Sequence, residues 1–292
     1  MQQKVTNILC LVCTLCLTVG SVQADRLEDM ISPVSNPVNF DDPRANTEAR
    51  LVHMFHEIDS GFITGGGDIQ VYALQLRYAV NERLALLATK DGYIDFNPDG
   101  VLTDDAGFAN IAAGAKYAFY MDPDQGQIAT AGLRYEIPLG EQEVFQGRGD
   151  GFIQPFLTGA SALCDRTTLI AATGMRIPID QDDSTFWDLD LHIDYRVGTQ
   201  IGDLYPLLEL NMVHVVDGGR RLAIADEGLD LISFGASEAD GKTILSGAAG
   251  WRVRLSEKVD WGFAYQFPLT SGRGSELTKW RVTSDLIFSF DI

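Results

Sequence analysis

The sequence predicts an all-β protein: an antiparallel transmembrane β-barrel of about 12 strands, with short periplasmic turns and longer extracellular loops. Three observations lead to this prediction. The chain begins with an export signal, the remainder alternates between apolar and polar residues with a period of two, and the links between strands are alternately short and long. Helical periodicity is nearly absent. After the signal, no stretch approaches the roughly 18 consecutive apolar residues that mark a transmembrane helix.

Residues 1–24 have the order of features of a secretory signal peptide. Lys4 precedes an apolar run of 12 residues from Ile8 to Val19, and small residues lead to a cleavage site after Ala24. The run is too short to cross a bilayer as a helix, which needs about 20 residues. Three of the four cysteines lie in this peptide. The mature chain therefore keeps only Cys164, and a disulfide-stabilised scaffold is excluded.

The charge balance is strongly acidic. The chain has 22 Lys and Arg against 41 Asp and Glu, and the signal holds one basic and no acidic residue, so the mature net charge is −20. Nucleic-acid binding requires basic patches, and this balance argues against it. No cofactor is predicted.

The first mature residues, 25–46, are polar, contain prolines and show no periodicity. We expect them to form a periplasmic tail or a plug segment, with the barrel itself occupying residues 47–292. The long link 214–241 is a second segment that could narrow a pore.

Alternation is clearest in Phe186–Val197, Val259–Leu269 and Lys279–Ile292. In the first of these stretches, six apolar and five polar or charged residues alternate without a break. An even number of strands is expected when both chain ends lie on one side of the membrane. The predicted strands are 48–57, 68–80, 83–90, 110–120, 127–138, 152–163, 167–178, 185–197, 200–213, 242–255, 258–269 and 278–291.

The links between these strands sort into two kinds. Five are short, for example Asn81-Glu82 and Gly198-Thr199, and they alternate with longer ones. Outer-membrane barrels are built with short turns on one side and long loops on the other, whereas a soluble β-sandwich has no reason to sort its loops. The long links are 58–67, 91–109, 139–151, 179–184, 214–241 and 270–277.

Periodicity alone does not say which face points outward, because soluble barrels alternate in the opposite sense. Large aromatic residues favour an apolar exterior, because they lie near strand ends on the apolar face, where two interfacial belts would form. With the short turns periplasmic, Trp187, Phe267 and Trp280 fall near the outer interface. The residues near the inner interface are Tyr195, Trp251, Trp261 and Phe290.

The opposite face carries charges of both signs, which can pair across a polar lumen. The same charges would also suit a solvated exterior, so a soluble barrel stays an alternative. The alternation also places Lys279 on this polar face. The residues predicted to line the lumen are Arg77, Lys116, Arg134, Glu136, Asp188, Asp190, His192, Asp194, Arg196, Glu209, Arg252, Arg254, Arg281 and Asp285.

Two stretches resemble bacterial outer-membrane β-barrel proteins. The ending LIFSFDI, Leu286–Ile292, is similar to the aromatic final strand that the barrel assembly machinery recognises, although the last residue is Ile292 instead of Phe. GFANIAAGAKYAF, Gly107–Phe119, resembles a strand opening of transporter-like outer-membrane proteins, including the phenol meta-pathway group, with Asn110 in place of Asp. The resemblance implies an outer-membrane location, with outer-membrane lipid and the assembly machinery as partners.

Two motifs suggest metal chemistry. Asp95, Asn97 and Asp99 match the start of a calcium loop, D-x-N-x-D-G, but Ala106 stands where the bidentate Glu is needed. The same residues are common in ordinary loops. His192 lies between two aspartates on one strand face, which suits a metal site, a proton relay or, preferably, a ladder of lumen charges paired with Arg252, Arg254 or Arg281.

The predicted function is that of an outer-membrane channel or transporter for small polar solutes. No G-x-S-x-G motif occurs, and His53 and His56 point to opposite faces of a strand, so no enzymatic activity is predicted. The alternatives are a structural or adhesive outer-membrane barrel without transport, and a soluble periplasmic β-barrel that binds a ligand.

Overall fold

The computed structural model describes residues 26–100, 102–200, 202–270 and 277–291; the predicted signal peptide lies outside them. Within these ranges, fifteen strands follow one another, with one short 3-10 turn at Gln142–Val144. The strands are β1 (Glu48–Ile58), β2 (Gly67–Ala79), β3 (Leu84–Thr89), β4 (Tyr93–Pro98), β5 (Asp105–Phe108), β6 (Ile111–Asp122), β7 (Gln127–Ile137), β8 (Phe152–Cys164), β9 (Thr167–Pro178), β10 (Thr185–Asp194), β11 (Val197–Thr199), β12 (Gly202–Asp217), β13 (Thr243–Ser256), β14 (Val259–Pro268) and β15 (Thr278–Ser289).

These strands close into a barrel of 12 antiparallel staves. A stave is one position around the barrel. Nine staves are single strands, and each of the other three consists of two consecutive strands: β3 and β4, β5 and β6, and β10 and β11. Closure is made by β1, which pairs with β2 on one side and with β15 on the other. A closed sheet has no free edge, so each of the longer strands finds a partner on both sides, whereas the short β5 and β11 each pair with one strand. The described residues contain no helix that is long and apolar enough to cross a membrane.

The predicted barrel fold is confirmed, and each predicted strand overlaps an observed one. The prediction of a plain loop at 91–109 is wrong, because β4 and β5 lie within it and extend the β3–β6 hairpin. Asp95, Asn97 and Pro98 are loop-forming types, and they concealed the alternation of Tyr93–Pro98. These residues form a strand because β2 extends beside them and offers a complete pairing edge.

Apolar side chains cover the outside of the barrel, and polar side chains fill the inside. On β10, Trp187 and Leu191 are 40% and 38% exposed, whereas Asp190 and His192 are each 1% exposed. The same alternation holds on β14, where Trp261 and Tyr265 point outward. A soluble barrel would show the reverse arrangement.

Residues 26–46 lie inside the barrel toward the end with the short turns. Ile31, Val34 and Phe40 are fully buried there. At the other end, the β12–β13 loop, residues 218–242, folds inward and packs apolar residues such as Phe234 against the barrel rim. We name these two elements the inner segment (26–46) and the cap (218–242).

Candidate functional site: the barrel interior

Twelve of the residues predicted to line a lumen point inward and are at most 4% exposed. Arg196 and Arg254 are half-buried near the short-turn end. Lys279 is the exception: it is the extra residue of a bulge in β15, opposite Glu57 and Ile58 of β1, and it points outward, where it pairs with Glu57 at 3.3 Å. The prediction for Lys279 is therefore wrong, and a role of the other residues in conduction stays a prediction. The twelve buried residues are Arg77, Lys116, Arg134, Glu136, Asp188, Asp190, His192, Asp194, Glu209, Arg252, Arg281 and Asp285.

Several inward-facing charges escaped the sequence analysis. Arg50 on β1 is 1% exposed, and Arg176 on β9 is 7% exposed. Both strands carry residues of mixed polarity on both faces, so their alternation is weak. The one signal that could have shown Arg50 to point inward is its position on the strand. It shares a face with Val52 and Met54, which are also buried.

Basic residues dominate one side of the interior. Arg50, Arg77, Lys116 and Arg134 come from β1, β2, β6 and β7, which are neighbouring staves, with β3 between β2 and β6. Part of this positive charge is neutralised by carboxylates of the barrel wall: Arg77 pairs with Glu48 at 3.0 Å, and Arg50 pairs with Asp285. We call this side the cationic wall.

Acidic residues dominate the opposite side, on β10 and β12. The carboxylate of Asp190 accepts a hydrogen bond from the Asn211 side chain at 2.7 Å. His192 lies between Glu209 at 2.7 Å and Asp194 at 3.1 Å. We call this side the acidic wall, because its four carboxylates face one imidazole and one guanidinium, that of Arg176 beside Asp188.

The predicted partners of the aspartate ladder are wrong. Arg252 pairs with Asp285 at 2.8 Å, and Arg281 pairs with Asp230 of the cap at 2.5 Å. Arg254 lies 3.5 Å from Asp260. The ladder meets Arg176 of the adjacent β9 instead, because direct neighbours in the sheet lie closer than strands across the barrel.

The inner segment is bound to the acidic wall through Glu209. The backbone N–H groups of Val34 and Ser35 donate to the two carboxylate oxygens at 2.9 and 2.7 Å. The Ser35 hydroxyl donates to the same carboxylate, and the Asn36 side chain donates to Asp190 at 2.9 Å. A buried carboxylate that accepts several N–H bonds is among the stronger polar anchors in a protein.

The inner segment also faces the cationic wall and neutralises it. Asp41 accepts a hydrogen bond from Arg77 at 3.0 Å and lies 3.3 Å from the Lys116 ammonium. Backbone carbonyls of the segment accept further hydrogen bonds from wall arginines, among them that of Pro33 from Arg50 at 2.8 Å. The segment thus joins two walls of opposite charge, with carboxylates toward the cationic wall and N–H groups toward the acidic wall.

The cap is organised around Glu227, which is fully buried. Its carboxylate accepts the backbone N–H groups of Phe234 at 2.6 Å and Ala236 at 3.0 Å. Nearby, burial raises the pKa of Asp183 in the β9–β10 loop to about 6, against the opposing effect of Arg221 at 2.9 Å. Within the described residues, the inner segment fills the interior toward the short-turn end, and the cap packs against the rim at the other end.

The calcium-like motif does not form a loop in the structure. Asp95 and Asn97 are on β4, and the Asn97 side chain donates to Asp68 of the neighbouring strand at 3.2 Å. Asp99 follows the end of β4 and is exposed. Over the described ranges, no three His, Cys, Asp or Glu residues are grouped in a way that could hold a metal ion.

A closed antiparallel barrel of 12 staves with an apolar exterior and a charged interior has the architecture of outer-membrane channels. An outer membrane channel from Pseudomonas putida F1 is similar over 89% of this chain and 100% of its own, with 14% identity and a TM-score of 0.59. The NanC porin is similar over 84% of this chain and 100% of its own, with 10% identity and a TM-score of 0.50. At such identities the likeness establishes the fold.

No protein-family model matches the chain, and no curated protein matches it significantly. The resemblance of the sequence to outer-membrane β-barrel proteins is confirmed at the level of the fold. The narrower resemblance of Gly107–Phe119 stays a prediction. In the structure, Asn110 of this stretch is buried and accepts hydrogen bonds from the backbone of Gly140 at 3.1 Å and Gly147 at 2.8 Å.

Proposed function

We propose that the protein is an outer-membrane channel for small polar solutes, with no enzymatic activity, and that the inner segment closes it. The observation that carries the proposal is the inner segment itself. It occupies a charged interior, where hydrogen bonds and ion pairs hold it and two small apolar clusters, which include Ile31 and Phe40, add to its packing against the wall. The polar contacts can exchange with water and the apolar clusters are small, so the segment can leave the interior without unfolding of the barrel wall.

The apolar exterior supports a location in a membrane. Large exposed hydrophobic residues lie on the outward face of every long stave, including Leu74, Leu133 and Leu208 at 43%, 54% and 60% exposure. Soluble proteins rarely expose apolar patches of this extent. This distribution argues against the alternative of a soluble periplasmic barrel.

The two oppositely charged walls support the choice of polar solutes. Twelve staves leave more room than the eight whose side chains fill a barrel, and less than the 16 of a general porin. Once the inner segment leaves, Asp41 and Asp42 leave with it, and the cationic wall loses these counter-charges. A polar or zwitterionic solute would then meet cations on one side and carboxylates on the other.

The second candidate is a structural barrel without transport, and the packing of the inner segment and the cap inside the barrel favours it. The two functions differ in whether the inner segment can be displaced. A variant in which residues 26–46 are replaced by a Gly-Ser linker of equal length keeps the chain topology and removes the contacts with both walls.

The test compares this linker variant with the full mature chain in planar bilayers and in liposomes loaded with small sugars and amino acids. We expect rare conductance steps from the mature chain, and frequent and larger steps with solute flux from the linker variant. A folded linker variant without conductance or flux would overturn the proposal and favour the structural barrel.

A further inference from the structure

The strand pairing of the barrel wall is interrupted beside β2. The register of β2 with β4 ends at Tyr72, and its register with β3 begins at Leu76. The intervening residues, 73–75, pair with β1 on one side and lie outside either register on the other. The chain between β3 and β4 turns out of register there, since Lys90 and Gly92 have positive φ angles of 42° and 127°.

The interruption is a built feature of the fold. Gly92 permits it, because a Cβ at this position would lie 2.5 Å from the carbonyl oxygen of Tyr72. The two interrupted staves stay bonded to each other, through Ala109 N–H to Gly92 O at 2.8 Å and Ala112 N–H to Lys90 O at 3.0 Å. The gap is therefore a break in strand pairing between residues 73–75 of β2 and the chain at 90–92, which packs closely against β2 at Gly92 and closes the wall in this structure.

Apolar space lies on both sides of this gap. Outside the barrel there is an open groove of about 900 Å³, whose lining includes the rings of Tyr72, Tyr93 and Phe108. Inside there is a cavity of about 50 Å³ between the inner segment and the cap, lined by residues such as Met54 and Ile94.

The groove and the cavity meet at the gap. Val52, Ala73, Asp91 and Ala109 line both of them. We call these four shared residues the partition between the groove and the cavity. Ala73 and Ala109 have the smallest side chains among them, so the partition is thinnest at these two residues. The outer groove and the inner cavity are thus separated by one layer of side chains.

Asp91 distinguishes this groove from ordinary lipid-facing surface. Its carboxylate faces the backbone N–H of Leu74, and its Oδ1 atom is buried without a hydrogen-bond partner in the described part of the chain. A carboxylate in a wall that faces hydrocarbon is costly, and such residues usually mark a functional pathway. Its negative charge also disfavours anions at this point.

We propose that the gap beside β2 is a lateral passage for small, uncharged, apolar molecules between the lipid-side groove and the interior. This activity goes beyond the passage of polar solutes along the barrel axis. The inner cavity is smaller than the roughly 150 Å³ that holds benzene. Entry therefore requires a shift of the apolar residues that bound the cavity, which are Pro37 and Val38 of the inner segment and Leu231 and Ile232 of the cap.

The test uses the full mature chain in lipid vesicles with an apolar aryl diazirine that labels its surroundings on illumination. Labelled residues are then mapped by mass spectrometry. We expect severalfold more labelling at Met54 and Ile94, inside the gap, than at Ile170 and Leu207, which are equally buried and face the interior on other staves. Labelling confined to outward residues would overturn the proposal, because the groove would then hold only lipid chains.

The variant Ala73→Trp places a large side chain in the shared partition. We expect it to abolish labelling at Met54 and Ile94 and to leave labelling of Tyr93 and Phe108 unchanged. Ala249→Trp, on the outward face of β13, is the matched control and should label like the parent protein. Unchanged inner labelling in folded Ala73→Trp contradicts the passage.

If Ala73→Trp does not fold, Ala109→Leu fills the same partition with a smaller side chain and carries the same expectations. A negative result at the gap leaves the axial channel intact, because conductance of the linker variant is measured separately.

Discussion

Glu209 is the residue whose loss should release the inner segment most strongly. The variant Glu209→Ala removes the acceptor of the Val34 and Ser35 N–H groups, which lie 2.9 and 2.7 Å from it, and both residues are fully buried. Each buried donor left without its charged acceptor costs about 1.5–3 kcal/mol. Two donors give about 3–6 kcal/mol, and water entry should bring the effect to the lower end.

A loss of about 3 kcal/mol raises the ratio of displaced to seated segment by about 150-fold, since every 1.4 kcal/mol is tenfold. Hydrogen exchange of residues 30–42, followed by mass spectrometry, measures this ratio. Glu136→Ala is the matched control, because it also removes a buried inward carboxylate, one that binds Gln154 at 2.8 Å and whose hydrogen bonds and ion pairs, within the described residues, all go to the barrel wall and the β3–β4 link. Unchanged protection in Glu209→Ala, or equal loss in Glu136→Ala, would refute the reasoning.

Three further predictions address the wall, the lumen charge and the cap. Leu191→Arg should impair insertion, because a cation facing lipid near mid-bilayer costs about 2–4 kcal/mol, whereas Asp190→Asn should give a barrel whose gel mobility in SDS still shifts on boiling; equal damage from both would mean that the faces are inverted. In the linker variant, Asp188, Asp190 and Asp194 changed together to Asn should lower cation preference, measured as a reversal potential in a salt gradient, and an unchanged potential would contradict a role of the acidic wall. Burial raises the pKa of Asp183 to about 6, so protonation stabilises the closed cap below that pH and the stabilisation is lost as the pH rises through 6. Exchange of residues 227–239, corrected for intrinsic rates, should therefore increase between pH 5 and pH 7, and Asp183→Asn should remove the increase.

The sequence was sufficient to predict the staves because lipid and lumen impose opposite polarities on alternate residues. On β10, for instance, Leu191 must face lipid and Asp190 must not, which leaves one register. The prediction of strands and faces was wrong at two places where the residues do not follow this alternation. Tyr93–Pro98 is a strand that contains residues that favour loops, and a bulge in β15 at Lys279 reversed the direction of that side chain.

The interior contacts could not be predicted, because they join residues far apart in the sequence. Glu209 is 174 residues from Ser35, and no local pattern connects them. A plug was one of two expectations for residues 25–46, and the structure places 26–46 inside the barrel. The gap beside β2 has no sequence pattern of its own. Gly92 is needed there for its positive φ angle, but a glycine is equally common in ordinary turns.

The central claim is that the inner segment closes a channel, and a reversible lock tests it most directly. Ser35 Oγ lies 2.8 Å from Asn211 Oδ1, so Ser35→Cys with Asn211→Cys brings two thiols together, in a Cys164→Ser background. Single-channel conductance is recorded before and after reduction, with disulfide formation verified by mass. We predict that the oxidised protein shows no conductance steps and that reduction restores the steps of the single variant Ser35→Cys. Equal conductance of the oxidised and reduced forms would contradict the account.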